Sequence, residues 1–140
     1  MTNKELKIQK ALGVEPDKLT FTYKGLPCVL LKHPSMRHWC GYVGVPKDHP
    51  LYDKDNDDEL VMSLDAHGGI TWTGLGKKLS SLCKPKYWYI GFDCAHAGDY
   101  VPGVYERDGI KSGEKNIYRD ILYVKNECIK LAKQLKENKL

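Results

Sequence analysis

The first half of the chain carries apolar and polar residues in the patterns of β-strands. Residues 19–23 (LTFTY) alternate strictly, and a Lys24-Gly25 turn signal separates them from residues 27–33 (PCVLLKH), which are almost continuously apolar. Strict alternation is typical of a strand with one buried face, and a short apolar run is typical of a strand with two. The pattern therefore predicts a hairpin whose second strand is buried on both faces.

Further strands are predicted along the middle of the chain. Residues 38–46 (HWCGYVGVP) form an aromatic and β-branched run that ends at a proline, and residues 87–94 (YWYIGFDC) give the strongest strand signal. Residues 59–65 predict another strand, followed by a Gly-Gly turn and a short further strand. The polar and acidic residues 47–58 predict a surface loop.

Helices are predicted at both ends of the chain. Thr2 and Glu5 have the spacing of a capping box, which predicts a helix over residues 3–12. The apolar positions from Ile117 to Leu135 step by four and three residues, which places them on one face of a helix of roughly 20 residues.

This order of elements predicts an α+β fold: a single domain in which a long C-terminal helix covers an antiparallel or mixed sheet. We assign residues 1–13 to an N-terminal helix, 19–94 to a sheet-rich core and 116–138 to the C-terminal helix. Residues 75–84 have apolar residues at helical spacing, which predicts a short helix, and a turn-rich segment fits almost as well. No repeat or linker divides residues 1–140 into two units.

The apolar stripe of the C-terminal helix can pack in either of two ways. An amphipathic helix normally buries its stripe on its own sheet, and we favour that interpretation. A regular spacing of four and three residues also suits the seam of a homodimer, which is the alternative.

The amino-acid composition and net charge exclude some classes of protein. The 140 residues include 22 Lys and Arg against 18 Asp and Glu, a formal net charge of +4, and 41% of them are hydrophobic. These values exclude wholesale disorder. The lysines crowd at the two chain ends, where we expect solvated helix faces rather than a specific nucleic-acid site.

The sequence also bears on location. It contains no apolar stretch of about 18 residues that would span a membrane, and its first residues are charged and amphipathic, unlike a secretory signal. The five cysteines are odd in number and include no C-x-x-C pair, which favours reduced thiols over a disulfide framework. We therefore expect a cytoplasmic protein with no membrane partner.

Ionisable residues concentrate in two loops that each follow a predicted strand. The first loop is residues 65–69 (DAHGG) and the second is residues 93–99 (DCAHAGD). Strand ends are places where proteins commonly hold ligand-binding and catalytic groups. The candidate catalytic residues are His67, Asp93, His96 and Asp99.

The same four residues are the candidate ligands of a divalent metal. Two imidazoles and two carboxylates are enough for a zinc or manganese site with one open position. Their spacing matches no zincin or paired-cysteine signature, so no cofactor is assigned firmly. We favour the alternative in which Asp93 and Asp99 cap turns and His96 is a hydrogen-bonded spacer.

A thiol nucleophile is a further alternative in the second loop. Cys94 lies between Asp93 and His96, and a neighbouring imidazole can activate a thiol. Adjacent side chains at a strand end usually point to opposite faces, however. We therefore expect Cys94 to be a small buried residue.

Several residues suit the binding of a phosphorylated ligand. The pair Gly68 and Gly69 allows the backbone to approach an anion closely, and Arg37 is a candidate phosphate clamp. Trp39 and Trp72 lie on strands beside the loops and can stack on a flat ring. The candidate ligand-binding residues are Arg37, Trp39, His67, Gly68, Gly69, Trp72, Asp93, His96 and Asp99.

Three motifs resemble a family of uncharacterised bacteriophage and prophage proteins. They are GYVGVPKDHPLY at 41–52, HGGITW at 67–72 and GFDCAHAGD at 91–99, and the terminal helix ending in LAKQL accompanies them. The resemblance covers about four fifths of the chain and implies a small viral protein of the host cytoplasm. By analogy, such proteins often resemble counter-defence factors that sequester or cleave nucleotide messengers.

The sequence is compatible with three functions. The leading hypothesis is a protein that binds a nucleotide-like or phosphorylated small molecule, as a counter-defence sponge. The second is a metal-dependent hydrolase of a nucleotide-like substrate. The third is an inhibitor that binds a host enzyme through its exposed aromatic loops or through the acidic run 53–59.

Overall fold

A five-stranded antiparallel sheet forms the centre of the protein, with the strand order β1-β2-β3-β5-β4. The computed structural model describes residues 1–113 and 115–137. The strands are β1 (Lys18–Tyr23), β2 (Leu26–Lys32), β3 (Trp39–Val45), β4 (Trp72–Leu75) and β5 (Trp88–Asp93). The helices are α1 (Asn3–Ala11), α2 (Glu59–Met62), α3 (Gly76–Leu79), α4 (Pro102–Tyr105) and α5 (Ile121–Glu137). The predicted α+β class is confirmed.

The predicted first hairpin is present, and its turn follows from its sequence. Lys24 and Gly25 have φ values of 45° and 87° and connect Tyr23 to its register partner Leu26. A two-residue loop with both residues at positive φ matches the right-handed twist of the strands that it joins. The turn fixes the register of β1 on β2.

Helix α5 covers the inner face of the sheet. Its residues Val124, Cys128 and Leu131 are fully buried and belong to the same core as Trp39 and Phe92. Burial of a valine or leucine side chain contributes about 1.5–3 kcal/mol. The helix therefore buries its apolar stripe within the chain, as we favoured, and this stripe is not available as a dimer seam.

On the outer face of the sheet, aromatic rings pack over glycines. The Tyr42 ring occupies the space where Gly91 has no side chain, and the Tyr89 ring does the same at Gly44. A Cβ atom at either glycine would come within 3 Å of the ring, so each glycine is required by packing. A smaller apolar cluster that includes Tyr89 lies on this face.

Two of the predicted element bounds are wrong. Residues 59–65 do not form a strand, because the Asp58 side chain accepts a hydrogen bond from the Leu60 N–H and starts the short helix α2. The C-terminal helix begins at Ile121 rather than at 116, since Ile117 pairs with the loop residue Asp99 in a β-bridge. Residue 138, its predicted end, lies outside the described residues.

The other helices are close to their predictions or were missed. Helix α1 starts with the predicted cap, in which the Thr2 hydroxyl accepts a hydrogen bond from the Glu5 N–H. Residues 75–84 contain only the four-residue helix α3. Helix α4 and the 3-10 turn Glu106–Asp108 lie in a stretch whose residues show no helical periodicity. None of the helices in the described ranges is long and apolar enough to cross a membrane.

Candidate functional site

The two ionisable loops identified in the sequence meet in the structure. His67 lies in the turn after α2, and Asp99 closes the loop that follows β5. The His67 Nε2 atom is 2.8 Å from Asp99 Oδ2 and 2.9 Å from Asp99 Oδ1. The loops thus form one cluster, which we call the histidine cluster: His67, Gly68, Asp93, His96, Asp99, Arg119 and Tyr123.

Asp99 is the buried centre of this cluster. Its side chain is 1% exposed, and it accepts hydrogen bonds from His67, from the His96 backbone N–H at 3.0 Å and from Arg119 Nε at 3.0 Å. Burial alone raises the pKa of a carboxyl group, but these three donors outweigh it and lower the pKa of Asp99. The carboxylate is therefore ionised at neutral pH.

The ionised carboxylate fixes the tautomer of His67. Because Asp99 can only accept, His67 donates from Nε2, and a neutral imidazole then keeps its lone pair on Nδ1. The Tyr123 hydroxyl lies 2.8 Å from Nδ1 and donates to it. Burial is the main cause that raises the pKa of Tyr123, so its hydroxyl keeps its proton at neutral pH. The Arg119 guanidinium lies 5.0 Å from the centre of the Tyr123 ring.

His96 forms a second imidazole–carboxylate pair beside the first. Its Nε2 atom is 3.2 Å from Asp93 Oδ1, although the angles do not meet those of a hydrogen bond and this nitrogen has no hydrogen-bond partner among the described residues. The Thr71 hydroxyl donates to the other oxygen of Asp93 at 2.9 Å. The ring centres of His67 and His96 are 6.1 Å apart.

Gly68 is what allows His96 to lie against the first loop. The residue has a φ of 71°, and a Cβ atom built there would lie 2.3 Å from the His96 ring. Gly69 has a φ of 83°, but a Cβ atom there would meet none of the described residues within 4 Å. Gly68 is therefore required both by its contact with His96 and by its backbone conformation, and Gly69 is required by its backbone conformation alone.

Two residues predicted to bind a ligand with these loops lie elsewhere. Trp39 is fully buried in the core, where its Nε1 donates to Glu15 at 2.9 Å, so its ring offers no face to a ligand. Trp72 lies on the outer face of the sheet, packed edge-to-face on Tyr42 with 5.7 Å between the ring centres. Neither ring belongs to the histidine cluster.

Arg37, the predicted phosphate clamp, also lies apart from the histidine cluster. It forms an ion pair with Asp17 and has a φ of 65°, in the left-handed region that a residue with a side chain rarely adopts. It lines a separate cleft of about 710 Å³. The lining residues are Lys10, Gly13, Glu15, Lys32, Arg37, Tyr100, Pro102, Glu106, Lys111, Ser112, Tyr118 and Asp120.

The Glu15 carboxylate is the centre of a hydrogen-bonded group in the wall of the cleft. Its carboxylate accepts hydrogen bonds from the Tyr118 hydroxyl, from Trp39 Nε1 and from the Ile121 N–H at 2.9 Å. Burial raises the pKa of this carboxyl group, but the donors outweigh it and hold the pKa below its ordinary value. Lys32 completes the site with an ion pair to Glu15 at 3.0 Å.

Lys32 is also held between two aromatic rings. Its ammonium lies 5.5 Å from the Trp39 ring centre and 5.8 Å from that of Tyr118. Its side chain is 12% exposed. A lysine with these partners is a fixed positive charge in the wall of the cleft.

One short segment separates the cleft from the histidine cluster. In the extended stretch before α5, Tyr118 and Asp120 line the cleft, whereas Arg119 bonds to Asp99 on the other side. This alternation follows from the two-residue period of extended backbone. No pattern in the sequence marks Tyr118, Arg119 or Tyr123 as site residues, because their partners lie far away along the chain.

The geometry does not favour the metal and thiol alternatives. In residues 1–113 and 115–137, no group of three or more His, Cys, Asp or Glu side chains is placed to hold a metal ion. Asp99, one of the four predicted ligands, is occupied by three protein donors. Cys94 is 1% exposed, as predicted, and burial raises the pKa of its thiol far above the ordinary value.

Comparisons with known proteins add no assignment. No family model matches the chain, and neither the curated proteins nor the solved structures contain a match to it.

Proposed function

We propose that this protein binds a phosphorylated, nucleotide-like small molecule in the cleft. The observation that carries the proposal is the convergence of cationic side chains and tyrosine rings on one cavity of about 710 Å³. Cavities of a few hundred to a thousand Å³ accommodate ligands of this size. The cationic residues are Lys10, Lys32, Arg37 and Lys111, and the rings are those of Tyr100 and Tyr118.

The charge of the cleft supports an anionic ligand. Its lining has four cationic side chains and three acidic ones, Glu15, Glu106 and Asp120, so its net charge is 4 − 3 = +1. Glu15 is already engaged by four donors, which reduces the repulsion that it exerts on a phosphate. Glu106 supplies an acceptor of the kind that binds ribose hydroxyls, whereas the Asp120 oxygens already accept from Lys10 and from the Tyr123 N–H.

Arg37 has the clearest role in this proposal. Its left-handed φ costs a residue with a side chain on the order of 1–3 kcal/mol, and such strain is concentrated at functional sites. A guanidinium binds two phosphate oxygens at once. We assign Arg37 to the phosphate and Tyr118 to the flat ring of the ligand.

A thermal-shift and calorimetry panel of nucleoside mono-, di- and triphosphates tests the proposal. We expect at least one nucleotide to raise the melting temperature, and Arg37→Gln and Lys111→Gln each to weaken its affinity about tenfold, equivalent to about 1.4 kcal/mol. Lys133→Gln, an exposed charge change on α5, is the matched control. A folded wild type that responds to no member of the panel would refute the proposal.

The counter-defence role belongs to the same proposal and follows the phage resemblance. A sponge holds its ligand without converting it. Recovery of the bound nucleotide unchanged after long incubation, as judged by chromatography of the extracted ligand, is the result that this role requires.

A further inference from the structure

We infer that Tyr123, His67 and Asp99 form a second site, a hydroxyl–imidazole–carboxylate relay in which Tyr123 is the nucleophile toward a phosphoester. This inference is independent of the cleft, which lies on the other side of the segment before α5. It rests on side chains that the sequence separates widely and the fold brings into one hydrogen-bonded row.

The row has the arrangement of an activated nucleophile. The Tyr123 hydroxyl is 2.8 Å from His67 Nδ1, and His67 Nε2 is 2.8 Å from Asp99 Oδ2. A nucleophile within hydrogen-bond reach of a base, with the base oriented by a third group, is the general signature of covalent catalysis by a hydroxyl. Tyrosine is among the residues that form such covalent intermediates.

Protein donors hold the carboxylate end of the relay in a fixed orientation. Asp99 is buried and is fixed by Arg119 and by the His96 N–H, so the imidazole of His67 cannot rotate without breaking its bond to the carboxylate. Tyr123 and His67 are both partly exposed, whereas Asp99 is buried. The row therefore runs from a buried carboxylate to a partly exposed hydroxyl.

The groups around Tyr123 favour a phosphoester as the substrate class. Arg119 uses Nε for Asp99, and its guanidinium stays 5.0 Å from the Tyr123 ring centre with its side chain 23% exposed. A guanidinium placed beside a nucleophile stabilises the charge that develops on phosphoryl oxygens. The imidazole of His96, 6.1 Å from that of His67, adds a second polar group at the same opening.

The chemical step balances without an external reagent other than water. The Tyr123 oxygen attacks phosphorus as its proton passes to His67 Nδ1; the bond from phosphorus to the leaving oxygen, on the opposite side, breaks, and that oxygen takes a proton from water. A water molecule then attacks the phosphotyrosyl phosphorus from that opposite side and loses a proton to the solvent. The bond from phosphorus to the Tyr123 oxygen breaks, and His67 returns the proton to restore the hydroxyl.

The test uses the full chain with p-nitrophenyl phosphate and bis(p-nitrophenyl) phosphate as probes. We expect wild type to release p-nitrophenolate from at least one of them, and Tyr123→Phe to lower the rate at least a hundredfold. Asp99→Asn should also lower it when the assay is run at a temperature at which melting curves show that variant to be folded. Tyr87→Phe, at a partly buried tyrosine on the outer face of the sheet, is the matched control and should match wild type.

Acid-quenched intact mass spectrometry provides a second readout that a purely structural role of Tyr123 would not change. Wild type should carry a phosphoryl adduct that peptide mapping places on Tyr123. Melting curves verify that Tyr123→Phe is folded. The inference is overturned if folded wild type cleaves neither ester, if Tyr123→Phe cleaves as fast as wild type, or if cleavage proceeds with no adduct on Tyr123.

Discussion

Tyr118 and Arg119 are consecutive residues whose side chains bond to two different carboxylates, the partly buried Glu15 and the buried Asp99. The Tyr118 hydroxyl donates to Glu15, and Arg119 Nε donates to Asp99 at 3.0 Å. Glu15 comes from the connection between α1 and β1, and Asp99 comes from the loop after β5. The segment that leads into α5 is thus held from both sides, and it forms a shared wall between the cleft and the histidine cluster.

Removing the charge of Asp99 should destabilise the protein strongly. In Asp99→Asn the three donors that face this side chain lose an ionised acceptor, and the amide presents its own N–H groups to them. Breaking a buried charge network of this kind costs about 3 kcal/mol. Urea unfolding measures the loss. Asp65→Asn, at a carboxylate that is 77% exposed, should change the free energy of unfolding by less than about 0.5 kcal/mol.

The lowered pKa values of Asp99 and Glu15 predict how stability depends on pH. A carboxyl group whose pKa is lower in the folded state stabilises the fold fully above its ordinary pKa, here 3.8 for Asp99 and 4.5 for Glu15. That contribution is lost as the pH falls through the folded-state pKa. We therefore expect the free energy of unfolding to fall steadily as the solution is acidified below these values.

Urea unfolding of wild type and Asp99→Asn across the acid range checks the assignment to Asp99. The variant has already lost this contribution, so its free energy of unfolding should fall less with acid than that of wild type. Equal acid dependence in the two proteins would show that Asp99 is not the group responsible.

The two adjacent glycines of the first loop give a matched pair. Gly68→Ala places a methyl group 2.3 Å from the His96 ring at a φ of 71°, so it must shift the imidazole as well as strain the backbone. Gly69→Ala strains the backbone at a φ of 83° without meeting a described residue. We expect a cost of about 1 kcal/mol at Gly69 and roughly 2–3 kcal/mol at Gly68. Similar costs at both positions, measured by urea unfolding, would argue against the packing of His96 on Gly68.

The cysteines should react slowly in the native protein. Cys94 and Cys128 are buried with thiol pKa values raised by burial, and burial raises the pKa of the more accessible Cys40 to about 11. Since the thiolate is the reactive form, an aromatic disulfide reagent at neutral pH should titrate five thiols in denaturant and almost none in buffer. Rapid reaction of Cys94 in the native state would contradict its buried placement.

Local patterns predicted the sheet well. The alternation at 19–23 and the apolar run before Asp93 identify strands. The buried positions of a strand can be read directly from the order of its own apolar and polar residues. The segment 59–65 was misassigned because four residues are too few for a helical period, and the deciding feature was the cap at Asp58.

The candidate site was only half predictable. The residue types and the positions after predicted strands marked His67 and Asp99, although only Asp99 follows a real strand, and the structure brings the two residues into contact. No pattern in the sequence marks Glu15, whose partner Tyr118 is 103 residues away. Such pairs are set by tertiary packing of the α1–β1 connection on the start of α5, which leaves no periodic trace in either segment.

A two-dimensional NMR titration of the amide resonances with the nucleotide that most raises the melting temperature distinguishes binding in the cleft from binding elsewhere, because it locates the ligand as well as detecting it. Binding in the cleft should give the largest shifts on cleft residues such as Gly13, Lys111 and Ser112 and leave Lys133 unperturbed. Shifts confined to residues outside the cleft, or none at saturating nucleotide, would contradict it.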